Sequence, residues 1–287
     1  MRVLVTGANG MLGTDLCARL RAEGMEPIAT DIAGAPVALD VTDRAACARA
    51  LAETRPDATV HCAAYTDVDG AERSPDLAYR LNAYGSWVLA SACAEYDVPL
   101  CAISTDFVFD GLKRAPYTEF DMPCPLGVYG ASKLGGESRI RETWRKHWIV
   151  RTAWLYGVHG RSFPASILRA AASRPELRVV ADQRGSPTYT ADLSAAIVRL
   201  LASPLYGTYH VVNDGDASWY ELACHLLDCA GLAHVKVTPI RAAEWPSPAR
   251  RPAYSVLRPF ALEMSGVPAP RHWREAVRDY IEEYTSR

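Results

Sequence analysis

The chain has 287 residues, 49% of them apolar and 22% charged, with a formal net charge of −2. That balance describes a soluble globular protein with a sizeable core, one large domain or two modest ones, and it implies no nucleic-acid partner. No apolar run approaches the roughly 20 residues of a membrane span, and the opening MRVLVTGANG enters a strand pattern directly, unlike a signal peptide.

RVLVT (2–6) predicts a strand. A helix follows over 12–23, with Leu12, Leu16 and Leu20 on one face. EPIATD (26–31) predicts a second strand, 44–55 a helix and ATVHC (58–62) a strand. A long helix is expected over 76–96, a strand over 99–105, a helix over 129–143 and a strand over 148–152. This alternation predicts an α/β protein with a doubly wound, Rossmann-like parallel sheet. After residue 153 prolines punctuate the pattern, and helices are expected over 191–202, 218–230 and 273–284. The expected organisation is a dinucleotide-binding domain over 1–152 and a smaller substrate-binding lobe over 153–287, partly interleaved with the sheet.

TGANGMLG places Gly7, Gly10 and Gly13 between the first strand and the first helix. A tight strand-to-helix turn needs unusual backbone angles, and a pyrophosphate needs bare backbone at the helix N-terminus. Asp31 ends the second strand, where an acid accepts hydrogen bonds from adenosine ribose hydroxyls and favours NADH over NADPH. Asp40 and Val41 fall where the adenine would lie, although Asp40 also fits a helix start before Arg44. Ala63 and Ala64 are small enough for a cofactor to pack close, or for a tight turn.

At the other end of the crevice, STDFVFDG (104–111) follows the fifth strand and YGASK (129–133) opens a helix. Tyr129 and Lys133 stand at i and i+4, so they share a helix face with Cβ atoms about 6 Å apart. An ammonium beside the phenol is expected to pull the Tyr129 pKa below its ordinary value of about 10. Thr105, Tyr129 and Lys133 then form a catalytic set. Tyr129 protonates a carbonyl oxygen as a hydride arrives from a nicotinamide, Thr105 polarises the carbonyl, and Lys133 also holds the nicotinamide ribose. The eight cysteines contain no C-x-x-C pair and their spacing to histidine suits no zinc site, so reducing cytosol and no metal are expected. Cys62 and Cys101 read as buried thiols.

With those motifs in place, the sequence resembles the extended short-chain dehydrogenase/reductases, and within them the dTDP-4-dehydrorhamnose reductase family. TGANGMLG and YGASKLGGE (129–137) mark the superfamily, while HCAAYTDVDGAE (61–72), STDFVFDG and DQRGSPT (182–188) are more specific. The resemblance implies NADPH or NADH as cofactor and reduction of the C4 ketone of a dTDP-sugar in the cytoplasm. It implies cofactor contacts at Gly10, Met11, Leu12, Asp31, Asp40, Val41, Ala63, Ala64, Tyr65, Tyr129 and Lys133. It implies sugar-nucleotide contacts at Thr105, Asp106, Tyr129 and Trp154, where an indole face can cover a hexose. Relatives include homodimers, some built around a magnesium ion held by acids, with Asp15 a candidate participant here.

Phe107 departs from the tyrosine usual in the family's S-T-D-Y string, removing a hydroxyl near the sugar. The same residue argues against a 4,6-dehydratase, which would carry an acid after the Thr-Asp pair. A reductase of another nucleotide-linked 4-keto-6-deoxy sugar stays open. So does a regulatory subunit of the methionine adenosyltransferase type, which resembles the same family.

Overall fold

The computed structural model describes residues 1–287. Its first half contains β1 (Arg2–Thr6), α1 (Met11–Ala22), β2 (Glu26–Asp31), β3 (Val37–Ala38), α2 (Arg44–Thr54) and β4 (Ala58–His61). Then come α3 (Val68–Arg73), α4 (Pro75–Tyr79), a π-helical turn at Arg80–Gly85, and α5 (Ser86–Glu95). β5 (Leu100–Thr105), α6 (Val128–Thr143) and β6 (His147–Thr152) complete this half. The second half contains β7 (Leu155–Tyr156), α7 (Phe163–Ala171), β8 (Glu176–Val180), β9 (Arg184–Gly185), β10 (Thr188–Tyr189) and α8 (Thr190–Leu201). β11 (Gly207–His210), β12 (Ala217–Ser218), α9 (Trp219–Cys229), β13 (Lys236–Ile240), α10 (Phe260–Met264) and α11 (Trp273–Thr285) follow.

Seven strands form one parallel sheet in the order β11-β6-β5-β4-β1-β2-β3. Central strands of such a sheet are covered on both faces, which is why β1 and β4 are buried almost throughout. On one face Val3, Val5 and Val60 pack with Leu12, Leu16 and Leu20 of α1 and with Leu193, Ile197 and Leu200 of α8. On the other, Leu4, Leu100, Ala102 and Ile149 meet Leu51 of α2, Leu89 of α5 and Ile140 of α6. The fold is therefore α/β and doubly wound. The strand order reverses between β1 and β4, which opens a crevice at the carboxyl ends of these strands, beside β5.

A separate core gathers Tyr156, Leu222, Leu226, Trp273, Val277 and Tyr280 from the second half. The division along the chain is not clean. α8 covers the same sheet face as α1, and β11 extends the sheet beyond β6, so residues 190–210 contribute to the first half's layers.

Two expectations need correction. The single helix over 76–96 is three segments, because the π-helical turn at 80–85 adds a bulge. A helix not foreseen, α7, begins with Pro164 in its first turn and the Ser162 side chain capping the Ala165 N–H.

Candidate active site

The turn after β1 is built for close approach. Gly7 has φ of 66°, and a Cβ there would lie 2.7 Å from the Ala63 backbone nitrogen. A Cβ on Gly13 would collide with the Gly7 carbonyl oxygen. Gly10 is the N-cap of α1 without a side-chain cap, and the first turn, led by Met11 and Leu12, contains no acid. Its N–H groups are thus left for an anion, which fits a dinucleotide pyrophosphate. At the end of β2, Asp31 accepts from the Asn9 N–H at 3.0 Å and the Ile32 N–H at 2.8 Å, which holds its carboxylate beside the glycine turn.

Asp40 is occupied within its own turn. One carboxylate oxygen accepts from both the Thr42 N–H and the Thr42 hydroxyl, at 2.8 Å each, and these bonds hold the carboxyl below its ordinary range. The helix-starting acid is Asp43, which accepts from Ala46 N–H at 3.0 Å. Val41 is buried, and Ala63 donates to the Thr6 hydroxyl at 3.3 Å. Tyr65 is clamped through its backbone by Asn82, which accepts from the Tyr65 N–H at 2.8 Å and donates to its carbonyl at 3.1 Å. Asn82 also donates to Ser132 on α6 at 3.0 Å, so one buried amide in the π-helical turn ties the Ala63–Tyr65 segment to the helix of Tyr129 and Lys133. Its role has no local sequence signal.

At the end of β5, the Thr105 hydroxyl donates to Asp106 Oδ1 at 3.1 Å and accepts from the Phe107 N–H at 3.2 Å. Its proximity to Tyr129 eases the phenol's ionisation. Burial nevertheless dominates and, with Asp106 adding to it, pushes Tyr129 up to about 12. Burial likewise raises Asp106 to about 6 against the Ser255 and Thr105 hydroxyls, and its Oδ2 has no partner. Phe107 packs edge-on against Tyr129, with ring centroids 5.7 Å apart.

The expected effect of Lys133 on Tyr129 is overturned. Lys133 Nζ donates to the Ile103 carbonyl at 2.7 Å, on the strand beneath α6. Burial pulls its own pKa down to about 8, against the Glu137 carboxylate and Cys62, which hold it up. Tyr129 is governed by desolvation because the ammonium is spent on the sheet.

Trp154 is one half of a stacked pair. It is half-buried, with a left-handed backbone at φ of 45°, and its indole lies flat on Trp219 with centroids 3.4 Å apart and planes 4° from parallel. The Gly185 backbone lies against the same indole. Trp219 was missed because, at the start of α9, it reads as an ordinary core aromatic. Cys101 is buried, whereas Cys62 is only half-buried by exposure.

Glu137 and Arg151 were missed as well. Both are buried, and Arg151 donates twice to the carboxylate, at 2.9 and 2.7 Å. They lie fourteen residues apart on a helix and a strand, a pairing no periodicity reveals. Asp15 accepts from the Thr190 hydroxyl and faces His159 Nε2 at 3.3 Å. No group of three or more His, Cys, Asp or Glu side chains gathers in a metal-holding arrangement.

Known proteins resemble this chain along almost its whole length. The chain is 41% identical over 285 residues to the spore coat polysaccharide biosynthesis protein SpsK of Bacillus subtilis, covering 99% of this chain and 98% of that protein. It is 39% identical over 282 residues to the dTDP-4-dehydrorhamnose reductase of Mycobacterium tuberculosis, covering 96% and 91%. A crystal structure of the Bacillus anthracis dTDP-4-dehydrorhamnose reductase in complex with NADP superposes with a TM-score of 0.94 at 41% identity, covering 98% and 99%. Residues 1–286 match the family described as the RmlD substrate binding domain, and the chain belongs to that family of extended short-chain dehydrogenase/reductases.

Proposed function

We propose that this chain catalyses the NADPH- or NADH-dependent reduction of the C4 ketone of dTDP-6-deoxy-L-lyxo-4-hexulose to dTDP-L-rhamnose. The observation that carries this is the convergence of Thr105, at the end of β5, with Tyr129 and Lys133, which stand one turn apart on one face of α6. Near-40% identity to a reductase along almost the whole chain supports the substrate.

When bound, the reduced nicotinamide supplies the hydride to C4. Tyr129 holds its proton firmly at neutral pH, so a neutral phenol is ready to protonate the oxygen that becomes the 4-hydroxyl. Thr105, already bonded to Asp106, orients that oxygen and eases the phenol's loss of a proton. Lys133 supplies positive charge on the same helix face, and reprotonation of the phenolate from solvent closes the cycle. The glycine turn with Met11, Leu12 and Asp31 holds the cofactor, with Asp40 and Val41 at the adenine end and Ala63, Ala64 and Tyr65 along its length. Asp106 and Trp154 contact the sugar nucleotide.

A reductase of another 4-keto-6-deoxy sugar is the second reading, favoured by Phe107, which offers Tyr129 a ring edge and the sugar no hydroxyl. The organisation we propose assigns the cofactor to residues 1–152 and the sugar nucleotide mainly to 153–287. No helix is long and apolar enough to cross a membrane; the reaction is assigned to the cytoplasm. A homodimer is favoured by the exposed aromatics Tyr79, Tyr84 and Trp87, which line a groove on α4, the π-helical turn and α5; sedimentation velocity tests it.

The test of function is oxidation of NADH and NADPH with dTDP-4-keto-6-deoxyglucose, with and without a 3,5-epimerase. Epimerase-dependent oxidation supports the reductase. Equal oxidation without the epimerase favours the second reading, and none with either cofactor, despite cofactor binding, overturns both and favours the regulatory-subunit alternative.

A further inference from the structure

Glu137 follows Lys133 by one helical turn on α6, so the two side chains share a face with Cβ atoms about 6 Å apart. Both are buried. The carboxylate is fixed from three elements. Oε1 accepts from the Ser104 hydroxyl of β5 at 2.5 Å and from Arg151 Nε of β6 at 2.9 Å. Oε2 accepts from Arg151 Nη2 and from Arg141 Nη2 of α6, both at 2.7 Å. Burial alone would raise this carboxyl, but the arginines overcome it and hold it ionised.

Glu137 and Lys133 also border one cavity of about 10 Å³, together with Ser86 and Ser104. That is room for about one water, so bulk solvent does not screen the pair, and charges interact far more strongly there than at the surface. The other groups around Lys133 are the Ile103 carbonyl, the Cys62 thiol and His61, which burial keeps neutral with a pKa pulled down to about 3. His210 of β11 faces the Glu137 side and is likewise held neutral by burial. Glu137 is thus the carboxylate that acts on Lys133. A buried ion pair such as Glu137–Arg151 is weak support for a fold, since apolar replacement of such pairs is often neutral or stabilising. Its placement one turn from Lys133 gives it a different use.

Resting on the reductase reading, we propose that Glu137 is a positioning residue for the reduction: across the cavity they share, its carboxylate keeps Lys133 in the ammonium form. Burial already draws Lys133 down to about 8 with Glu137 in place. Without that carboxylate the ammonium is lost within the working pH range.

With four lysines in the chain, selective ¹³C-lysine labelling lets Lys133 be titrated by NMR, with its resonance identified by Lys133→Arg. The variants are Glu137→Gln and the paired Glu137→Gln/Arg151→Met. The pair leaves no buried arginine facing a lost carboxylate and so keeps a folded protein available. The expected result is a Lys133 midpoint lower by at least about one unit, with the basic limb of the kcat/KM–pH profile moving down in parallel. Glu137→Asp should recover part of the shift. An unchanged midpoint, or an unchanged basic limb despite a shifted midpoint, overturns the proposal. The titration needs no turnover, so absence of ketone reduction by the unsubstituted protein would count against the activity alone.

Discussion

Lys133 donates to the Ile103 carbonyl of β5, at 2.7 Å, while Tyr129 four residues earlier on the same helix holds its proton up to about pH 12. The pair therefore behaves as a neutral acid and a separate, partly desolvated cation. The cation is drawn down by burial while the phenol is pushed up by it.

Tyr129→Phe removes the proposed proton donor and leaves the ring packed on Phe107. kcat should fall by at least ~10²-fold, with cofactor affinity retained in fluorescence titration. Near-normal turnover would remove Tyr129 from this role.

Burial draws Lys133 down to about 8 in the fold, from an ordinary lysine value of 10.5. A cation whose pKa is depressed by folding destabilises the native state fully below the lower value, and the penalty fades as pH rises through the window from 8 to 10.5. Lys133→Met should thus lose activity yet gain stability at pH 7, by up to about 3 kcal/mol at 1.36 kcal/mol per unit. The gain should vanish near pH 10.5. Thermal unfolding at both pH values checks this, and a variant less stable at pH 7 than the parent would contradict it.

Asp31 presents its carboxylate beside the glycine turn through Asn9 and Ile32. Asp31→Ala removes a ribose acceptor and a charge that repels a 2′-phosphate. The ratio of kcat/KM for NADPH over NADH should rise about tenfold or more, the scale of one lost charge-assisted hydrogen bond. Steady-state kinetics with both cofactors reads it, and an unchanged ratio would sink the assignment.

Trp219→Ala strips one face of the Trp154 indole of a partner 3.4 Å away. If the stacked pair lines the sugar site, KM for the sugar nucleotide should rise about tenfold, in keeping with ~0.5–1.5 kcal/mol for an aromatic pair beyond its buried area, while NADH affinity stays constant. Equal loss for both ligands would point to general unfolding of the lobe.

Local chemistry made much of this protein legible. β1 and β2 fall where RVLVT and EPIATD predicted them, because the first is a continuous buried run and both are bounded by turn residues. The glycine turn was readable because backbone geometry demands glycine there. What escaped depends on contacts distant in sequence. The π-helical turn around Asn82 follows from bonds to Tyr65 and Ser132, fifty residues apart in the second case. Pro164 looked like a breaker but sits in the first turn of α7, where its missing N–H has no cost. The pairing of Tyr129 with Lys133 was the right spacing with the wrong electrostatics. A helix face fixes which side chains are neighbours, but the strand below decides which hydrogen bond the ammonium makes.

The most direct test of the proposed reaction is the fate of a labelled hydride. With NADH carrying deuterium at the transferred C4 position, and the keto sugar supplied through the epimerase, product NMR should show dTDP-L-rhamnose with deuterium at sugar C4. A product deuterated at another carbon, another hexose, or cofactor oxidised with no label in the sugar would contradict the assignment.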